Sequence, residues 1–174
     1  MSKFRRSLPA AVVAILITAL GAIGGSAPAS AKESASLAGV SIVNRASGMC
    51  LDVPGGSTEN KLQVQQYNCN GGVNQQWEYL PGAYAGFGQL RNVASQKCLD
   101  VRATSTSIGA VVQQYICMDV PNQQWSYSSG TGYLMALHSG MCAGVYSLVN
   151  KEKVYQAVCG GGSQLVFTTW NASI

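Results

Sequence analysis

The sequence predicts an all-β fold built from three copies of one structural unit. Three observations support this prediction: a set of motifs that recurs three times, two cysteines in every copy, and short alternating segments separated by glycine-rich turns. The copies follow one another at intervals of about 40–50 residues. A period of this size is typical of folds that assemble several small units around one shared core.

The first two copies match closely, and the third is degenerate. The first copy has Cys-Leu-Asp-Val at 50–53, Val-Gln-Gln-Tyr-Asn-Cys at 64–69 and Asn-Gln-Gln-Trp at 74–77. The second copy has the same motifs at 98–101, 112–117 and 122–125, with Ile as the only change. The third copy keeps the cysteine spacing approximately, but it reads Cys-Ala-Gly-Val at 142–145 and Val-Tyr-Gln-Ala-Val-Cys at 154–159.

Short strands are the predicted secondary structure of every copy. Residues 61–64 alternate apolar and polar side chains, and 76–79 and 124–127 do the same ahead of glycine-containing turns. Short strands in regular succession indicate a β-sandwich or a barrel. Threefold repetition with four strands per copy favours a β-trefoil with pseudo-threefold symmetry, because a closed barrel has no exposed strand edges. A three-bladed propeller is the alternative, but propellers typically have at least four blades.

The first 31 residues have the features of a secretory signal peptide. Three basic residues in 1–6 precede an apolar run over 8–23 and a small-x-small cleavage site at 29–31. We therefore predict a secreted, extracellular protein, with an uncleaved membrane anchor as the alternative. The predicted divisions are a signal peptide at 1–31, a short arm at 32–39 and one domain at 40–174, with repeats at about 40–88, 89–133 and 134–174.

Charge excludes one large class of partners. The whole chain carries a formal charge of +4, but without the leader eight Lys and Arg face seven Asp and Glu, a net charge of about +1. Nucleic acids and anionic membranes need clustered basic residues, and 32–174 has no basic run. We predict a monomer whose main partner is neither nucleic acid nor an anionic membrane, and whose mature form has no membrane span.

Six cysteines in a secreted chain indicate disulfides. Fifteen pairings are possible, and the repeat favours the three that lie within copies. These pairs are Cys50–Cys69, Cys98–Cys117 and Cys142–Cys159, with separations of 19, 19 and 17 residues. A zinc site is disfavoured because the chain has one histidine and no Cys-x-x-Cys motif, so no cofactor or metal is predicted.

One aromatic residue recurs at a fixed distance after the second cysteine of each copy. Trp77, Trp125 and Phe167 each lie eight residues after that cysteine. Large rings bury much apolar area, and a shared core needs one in every copy. We therefore predict that these three residues are structural.

A set of polar residues is present in two copies and lost as a block from the third. Five positions belong to this set, paired as Asp52 with Asp100, Gln65 with Gln113, Tyr67 with Tyr115, Asn74 with Asn122, and Gln75 with Gln123. By cysteine spacing, the third copy has Gly144, Tyr155, Ala157, Gln164 and Leu165 there. Residues that disappear together while the scaffold persists are expected to have worked together.

The chemistry of this set suits a sugar. A carboxylate accepts hydrogen bonds from neighbouring hydroxyls, amide side chains both donate and accept, and a tyrosine ring offers an apolar face. The alternative is that the aspartate caps a turn and the Asn-Gln pair braces a loop.

With these motifs in tandem, the chain resembles the ricin-type β-trefoil lectins and the related carbohydrate-binding modules of bacterial xylanases. The resemblance covers nearly all of 40–170 and is weak in the third copy. It implies that the Asp and Asn contact the sugar, that the aromatic before the second cysteine stacks on it, and that the Gln of Gln-x-Trp braces the Asp. Carried over, it implies two metal-independent sites for galactose- or xylose-containing polysaccharide. The first site comprises Asp52, Gln65, Tyr67, Asn74 and Gln75, and the second Asp100, Gln113, Tyr115, Asn122 and Gln123.

Catalysis is not predicted. Glycosidases need two carboxylates within about 5–10 Å, and Asp52 and Asp100 should occupy separate, symmetry-related sites. The single histidine, His138, has no counterpart in the other copies and is expected in a loop or at the surface. The alternative to a lectin is a β-trefoil that binds proteins, such as a secreted protease inhibitor.

Overall fold

The computed structural model describes residues 39–161 and 168–174, and its regular elements are short strands and single 3₁₀ turns. The first repeat holds β1 (Val40–Ser41), β2 (Val43–Asn44), β3 (Cys50–Asp52), β4 (Leu62–Gln63), β5 (Gln65–Tyr67) and β6 (Gln76–Pro81). The second holds β7 (Gly88–Asn92), β8 (Cys98–Val101), β9 (Val112–Tyr115) and β10 (Trp125–Ser128). The third holds β11 (Tyr133–Ala136), β12 (Cys142–Gly144), β13 (Tyr155–Ala157) and β14 (Trp170–Asn171). The 3₁₀ turns span Pro54–Gly56, Val73–Gln75, Arg102–Thr104 and Pro121–Gln123.

Each repeat therefore has the predicted four strands, two of which are interrupted in the first repeat at Ile42 and Val64. Within the described residues, no helix is long and apolar enough to span a membrane.

The strand that carries the conserved tryptophan of one repeat pairs with the opening strand of the next. β6 pairs antiparallel with β7, β10 with β11, and β14 with β2. The three register pairs are Trp77–Asn92, Trp125–Ala136 and Trp170–Asn44. The last pair joins the end of the chain to its beginning, so the three repeats close into a ring. This is the topology of the predicted β-trefoil.

Three valines complete this closure at the centre of the fold. The N–H of Val64 donates to the carbonyl of Val112 at 3.1 Å, Val112 donates to Val154 at 3.2 Å, and Val154 donates to Val64 at 3.1 Å. All three side chains are fully buried. Because a buried backbone N–H needs a partner, and each valine finds its partner in another repeat, no repeat satisfies its own centre.

A tryptophan from each repeat anchors the core in the same way. Trp77, Trp125 and Trp170 are buried, and each indole N–H donates across its repeat to a backbone carbonyl. The acceptors are Leu51, Leu99 and Ala143, at 3.0, 2.9 and 3.0 Å. This bond satisfies the one polar group of a side chain that otherwise buries a large apolar area.

The third tryptophan changes the alignment of the third repeat. Phe167, predicted as the third core aromatic, lies outside the described residues, as do Gln164 and Leu165. Trp170 occupies the place equivalent to Trp77, eleven residues after Cys159 rather than eight. The third repeat therefore has three extra residues before its tryptophan, and cysteine spacing alone misaligned it.

The three disulfides lie within repeats, as predicted. Cys50–Cys69, Cys98–Cys117 and Cys142–Cys159 have Cα–Cα distances of 5.1, 4.9 and 5.1 Å. Each closes a loop of similar length, for which the chain-entropy estimate gives roughly 3 kcal/mol of stabilisation.

Three buried glutamines tie each repeat to the loop of another repeat. Gln66 donates to the carbonyls of Ser147 and Val149 in the third repeat, at 3.0 and 2.9 Å. The equivalent amides of Gln114 and Gln156 reach the corresponding loops of the first and second repeats. These bonds fix the loops that border the clefts described below, and the sequence analysis did not identify them.

The equivalence of the three tryptophans can be tested by removing one indole N–H. Trp170→Phe leaves the buried carbonyl of Ala143 without its donor, so we expect a loss of about 1–3 kcal/mol in the free energy of unfolding. Trp77→Phe is the matched control and should lose a similar amount. The measurement is denaturant unfolding of the oxidised protein. A Trp170→Phe variant as stable as the wild type would contradict the revised alignment.

Candidate functional site

Two equivalent aspartates lie in buried strands, each opposite a glutamine. Asp52 ends β3 and faces Gln65 of β5, and Asp100 of β8 faces Gln113 of β9. The preceding residue in each strand, Leu51 or Leu99, points into the core. Because side chains alternate along a strand, each aspartate points to the opposite face from its neighbouring leucine, away from the hydrophobic core. Both are nevertheless buried, at 2 and 3 % exposure.

Three amide groups hold the carboxylate of Asp52. Gln65 Nε2 donates to Oδ1 at 2.8 Å. Asn74 Nδ2 and Gln75 Nε2 both donate to Oδ2, at 2.8 and 3.1 Å. A carboxylate has about four acceptor positions, so these bonds orient the group and leave capacity for a further donor.

The second repeat reproduces this arrangement. Gln113 Nε2 donates to Asp100 Oδ1 at 2.7 Å, while Asn122 Nδ2 and Gln123 Nε2 donate to Oδ2 at 2.8 and 3.1 Å. The structure therefore brings together four of the five predicted residues in each site as one hydrogen-bonded cluster around a carboxylate.

A 3₁₀ turn supplies the Asn and the second Gln of each cluster. In the turn Val73–Gln75, Gln75 is fully buried, and its Oε1 accepts the backbone N–H of Asn70 at 2.9 Å. The Asn74 amide donates to both Asp52 and the carbonyl of Val53, at 2.8 and 3.0 Å. Both donor hydrogens are then used, which leaves Asn74 Oδ1 as the acceptor. Gln75 braces the cluster from behind, whereas Asn74 and Asp52 line the open side.

An open cleft lies over each cluster. The first has a volume of about 700 Å³, and the second of about 510 Å³. Tyr67 lines the first and Tyr115 the second, each half-buried with part of its side chain accessible. These tyrosines make no hydrogen bond to the aspartate cluster within the described residues, so they border the cleft without belonging to the cluster.

Each cleft also contains cationic side chains that the sequence analysis did not predict. Lys151, from the third repeat, lines the first cleft, whereas Lys61, from the first repeat, lines the second together with Arg102. A second cation adjoins each cluster: Lys153 Nζ donates to Gln65 Oε1 at 3.2 Å, and Arg102 Nε donates to Gln113 Oε1 at 2.6 Å. These bonds keep each glutamine amide turned so that its N–H₂ faces the aspartate.

The third repeat lacks this cluster. Gly144 takes the place of the aspartate, and the ring of Tyr155, at the glutamine position, packs against Tyr146 with centroids 5.2 Å apart. Thr168 takes the place of Gln75: its Oγ1 accepts the N–H of Gly160 at 3.2 Å, as Gln75 accepts that of Asn70. Thr168 keeps the hydrogen bond from the backbone N–H that Gln75 accepts through its Oε1. It has no amide that could donate to a carboxylate.

Comparison with known proteins agrees with this fold and repeat structure. Residues 38–166 match the family described as the ricin-type beta-trefoil lectin domain. The chain belongs to the ricin-type β-trefoil lectin family. Membership of a lectin family supports a carbohydrate-binding role for this domain.

Several solved structures share the fold of this lectin domain. A designed threefold-symmetric protein, ThreeFoil, has 37 % identity and a TM-score of 0.69, covering 77 % of this chain and 96 % of its own. An exo-β-1,3-galactanase from Clostridium thermocellum has 30 % identity and a TM-score of 0.70, covering 79 % of this chain but 30 % of its own. A bitter gourd homologue of type II RIPs, in complex with α-methyl-D-galactoside, shares the fold at 22 % identity and a TM-score of 0.63, covering 77 % of this chain and 46 % of its own.

Burial raises the pKa of the Asp100 carboxyl above its ordinary value, and the hydrogen bonds from Gln113, Gln123 and Asn122 oppose that increase. The nearby His138 also lowers the pKa of Asp100 through its charge. His138 Nε2 lies 2.9 Å from the carbonyl of Ser105, which holds the ring in place.

The raised pKa of Asp100 predicts a pH dependence. Binding that needs the carboxylate should be lost, as pH falls, at a midpoint above 3.8, the value for an unperturbed aspartate. Folding has the opposite sign: Asp100 favours the folded state most at pH below its unfolded pKa, and this contribution is lost as pH rises through its folded pKa.

The midpoint is measured with the Asp52→Asn variant, in which only the second carboxylate remains. Its glycan binding is followed as the pH is lowered from 7 to 3. His138→Gln in the same background removes the opposing charge and should move the midpoint upward. A midpoint at or below 3.8, or a downward shift with His138→Gln, would count against this account of Asp100.

Proposed function

We propose that this chain is a secreted, metal-independent lectin that binds galactose- or xylose-containing polysaccharide through the two clefts. The observation that carries the proposal is a buried carboxylate, oriented by three amide donors and open on one side, that occurs twice with nearly identical distances. A preoriented acceptor next to an amide oxygen suits the paired hydroxyls of a sugar ring.

Each cluster has a division of labour in this proposal. Asp52 and Asn74 accept hydrogen bonds from two sugar hydroxyls, and Tyr67 offers its ring to the apolar face of the sugar. Gln65 and Gln75 act through Asp52, which they hold in place. The equivalent roles in the second cleft fall to Asp100, Asn122, Tyr115, Gln113 and Gln123.

Galactose is supported by two of the similar structures. One relative is an exo-β-1,3-galactanase, and another is in complex with α-methyl-D-galactoside. Xylose rests on the sequence resemblance to the binding modules of xylanases. In both cases the ligand is a polymer that presents many equivalent sugars to one monomer.

A binding role rather than a hydrolytic one is supported by the carboxylates themselves. Hydrolysis of a glycosidic bond needs a pair of carboxyl groups about 5–10 Å apart. Among the described residues that line the clefts, each cleft has one acidic side chain, Asp52 or Asp100. The proposal also includes a signal peptide at 1–31, which directs secretion, and a short arm at 32–39. Three disulfides suit the oxidising compartment that a secreted protein enters.

Replacement of the two aspartates tests the proposal. Asp52→Asn and Asp100→Asn keep the side-chain size but remove the charged carboxylate that accepts hydrogen bonds from the sugar hydroxyls. Single sites should bind monosaccharide with a Kd on the order of 0.1–1 mM. Two sites on one body should bind the polymer about 100-fold more tightly, and each single substitution should abolish that gain.

The measurement is calorimetric titration with galactan, xylan and their monosaccharides, beside thermal unfolding to confirm that each variant folds. Asp119→Asn is the matched control, because this exposed aspartate lines neither cleft. The double variant should bind no sugar. A folded double variant that still binds the polymer would refute the assignment of the clefts. Inhibition of a secreted protease by that variant would favour the protein-binding alternative.

A further inference from the structure

We propose that both clefts recognise glycans that carry an anionic group, a carboxylate or a sulfate, and that Lys151 and Lys61 bind that group. This inference rests on the proposed function and specifies its substrate class. Sugar hydroxyls would be held by the aspartate cluster, and the charged group on the same or the next sugar by the lysine.

The two lysines occupy one structurally equivalent position, contributed to each cleft by a different repeat. The backbone N–H of Lys151 donates to the carbonyl of Gln66 at 3.0 Å, and that of Lys61 donates to Gln114 at 3.0 Å. Each of these glutamines belongs to the repeat that holds the adjoining cluster. The lysines thus line the clefts over Asp52 and Asp100, respectively.

The degenerate repeat provides the control for this position. The equivalent residue beside it is Gly109 of the second repeat, whose N–H donates to the carbonyl of Gln156 at 2.8 Å. The backbone is in the left-handed region at all three positions, with φ of 66° at Lys61, 71° at Lys151 and 82° at Gly109. Glycine adopts this region without strain, whereas residues with a Cβ disfavour it. Lysine stands at this strained position beside the two clefts that have a carboxylate, and glycine stands beside the third repeat, which has none.

The ammonium groups of both lysines are uncommitted within the described residues. Neither makes a side-chain hydrogen bond, and the one described ion pair joins Arg91 to Glu78. The acidic neighbour of Lys151, Glu152, has its carboxylate bonded to the hydroxyl of Ser147 at 2.7 Å. Glu59, in the loop of Lys61, does not line the second cleft.

Positive charge is concentrated at the clefts beyond these two lysines. Four of the eight basic residues in 32–174 adjoin the two clusters: they are Lys61, Arg102, Lys151 and Lys153. Each cleft therefore combines one carboxylate with two cations. The amides orient the carboxylate without removing its charge, and two cations outnumber one carboxylate, so a net positive potential is available to a ligand. A neutral sugar would provide no counter-charge for this exposed lysine.

The test compares polymers that differ only in charge. One pair is a glucuronoxylan before and after reduction of its carboxyl groups to alcohols, and the other is a sulfated galactan before and after desulfation. We expect the wild-type protein to bind at least one charged form about threefold to tenfold more tightly than its neutral counterpart, and this preference to fall with added salt. The pair that shows the preference identifies carboxylate or sulfate as the group.

The variants Lys61→Gln and Lys151→Gln, combined, replace each ammonium with a slightly shorter neutral polar side chain and should abolish the preference while binding to the neutral polymers persists. Lys97→Gln removes the same charge away from both clefts and should leave the preference intact. Equal binding of charged and neutral forms would overturn the inference and leave the proposed lectin function standing. A charge preference that survives in Lys61→Gln/Lys151→Gln would also overturn it, because the group that recognises the charge would then lie elsewhere. Failure to bind any polymer would refute the proposed function itself.

Discussion

The fold depends on hydrogen bonds that no single repeat can make for itself. At the centre, the N–H groups of Val64, Val112 and Val154 each donate to the next member of the trio. At the periphery, the strand pair that contains Trp170 and Asn44 joins the two ends of the domain. A repeat on its own would leave these groups unpaired, so the three copies are expected to fold as one cooperative unit. The symmetry of the clefts follows, because the same closure positions β3 and β8 identically.

The aspartate clusters explain why the third repeat lost its polar residues together. A buried carboxylate is costly without hydrogen bonds, and buried amides are costly without an acceptor. With Gly144 in place of the aspartate, the surrounding amides have no carboxylate to donate to. Their burial without an acceptor then costs free energy. Thr168 and Tyr155 relieve it in different ways: one retains only the backbone contact, and the other replaces a polar group with a packed ring. Loss of one member therefore favours loss of the rest.

Much of the fold and part of the site could be predicted from the sequence, and the exceptions have physical causes. The clusters were predictable because Asp52, Gln65 and Asn74 lie within one repeat and recur in the second. The lysines were not, since Lys151 reaches a cleft nearly a hundred residues earlier in the chain through closure of the ring. Trp170 was missed because an insertion breaks the spacing on which the alignment relied.

The sequence also contains a signal for the scaffold. Gln66, Gln114 and Gln156 lie three residues before the second cysteine of all three copies. Residues that are lost from the third copy mark the clefts, whereas residues that are retained in all three copies mark the scaffold. These glutamines are such residues, and their amides hold the loops from which Lys61 and Lys151 enter the clefts.

The central claim is that two symmetry-related carboxylate clusters bind sugar and the third repeat does not. The most direct measurement is the change in the side-chain amide signals of the protein in a ¹⁵N NMR spectrum when an oligosaccharide of the bound polymer is added. The account predicts shifts for Asn74 and Gln65 in one cleft and for Asn122 and Gln113 in the other, with Gln156 unaffected. Shifts confined to the third repeat, or absent from both clusters while the oligosaccharide is bound, would contradict it.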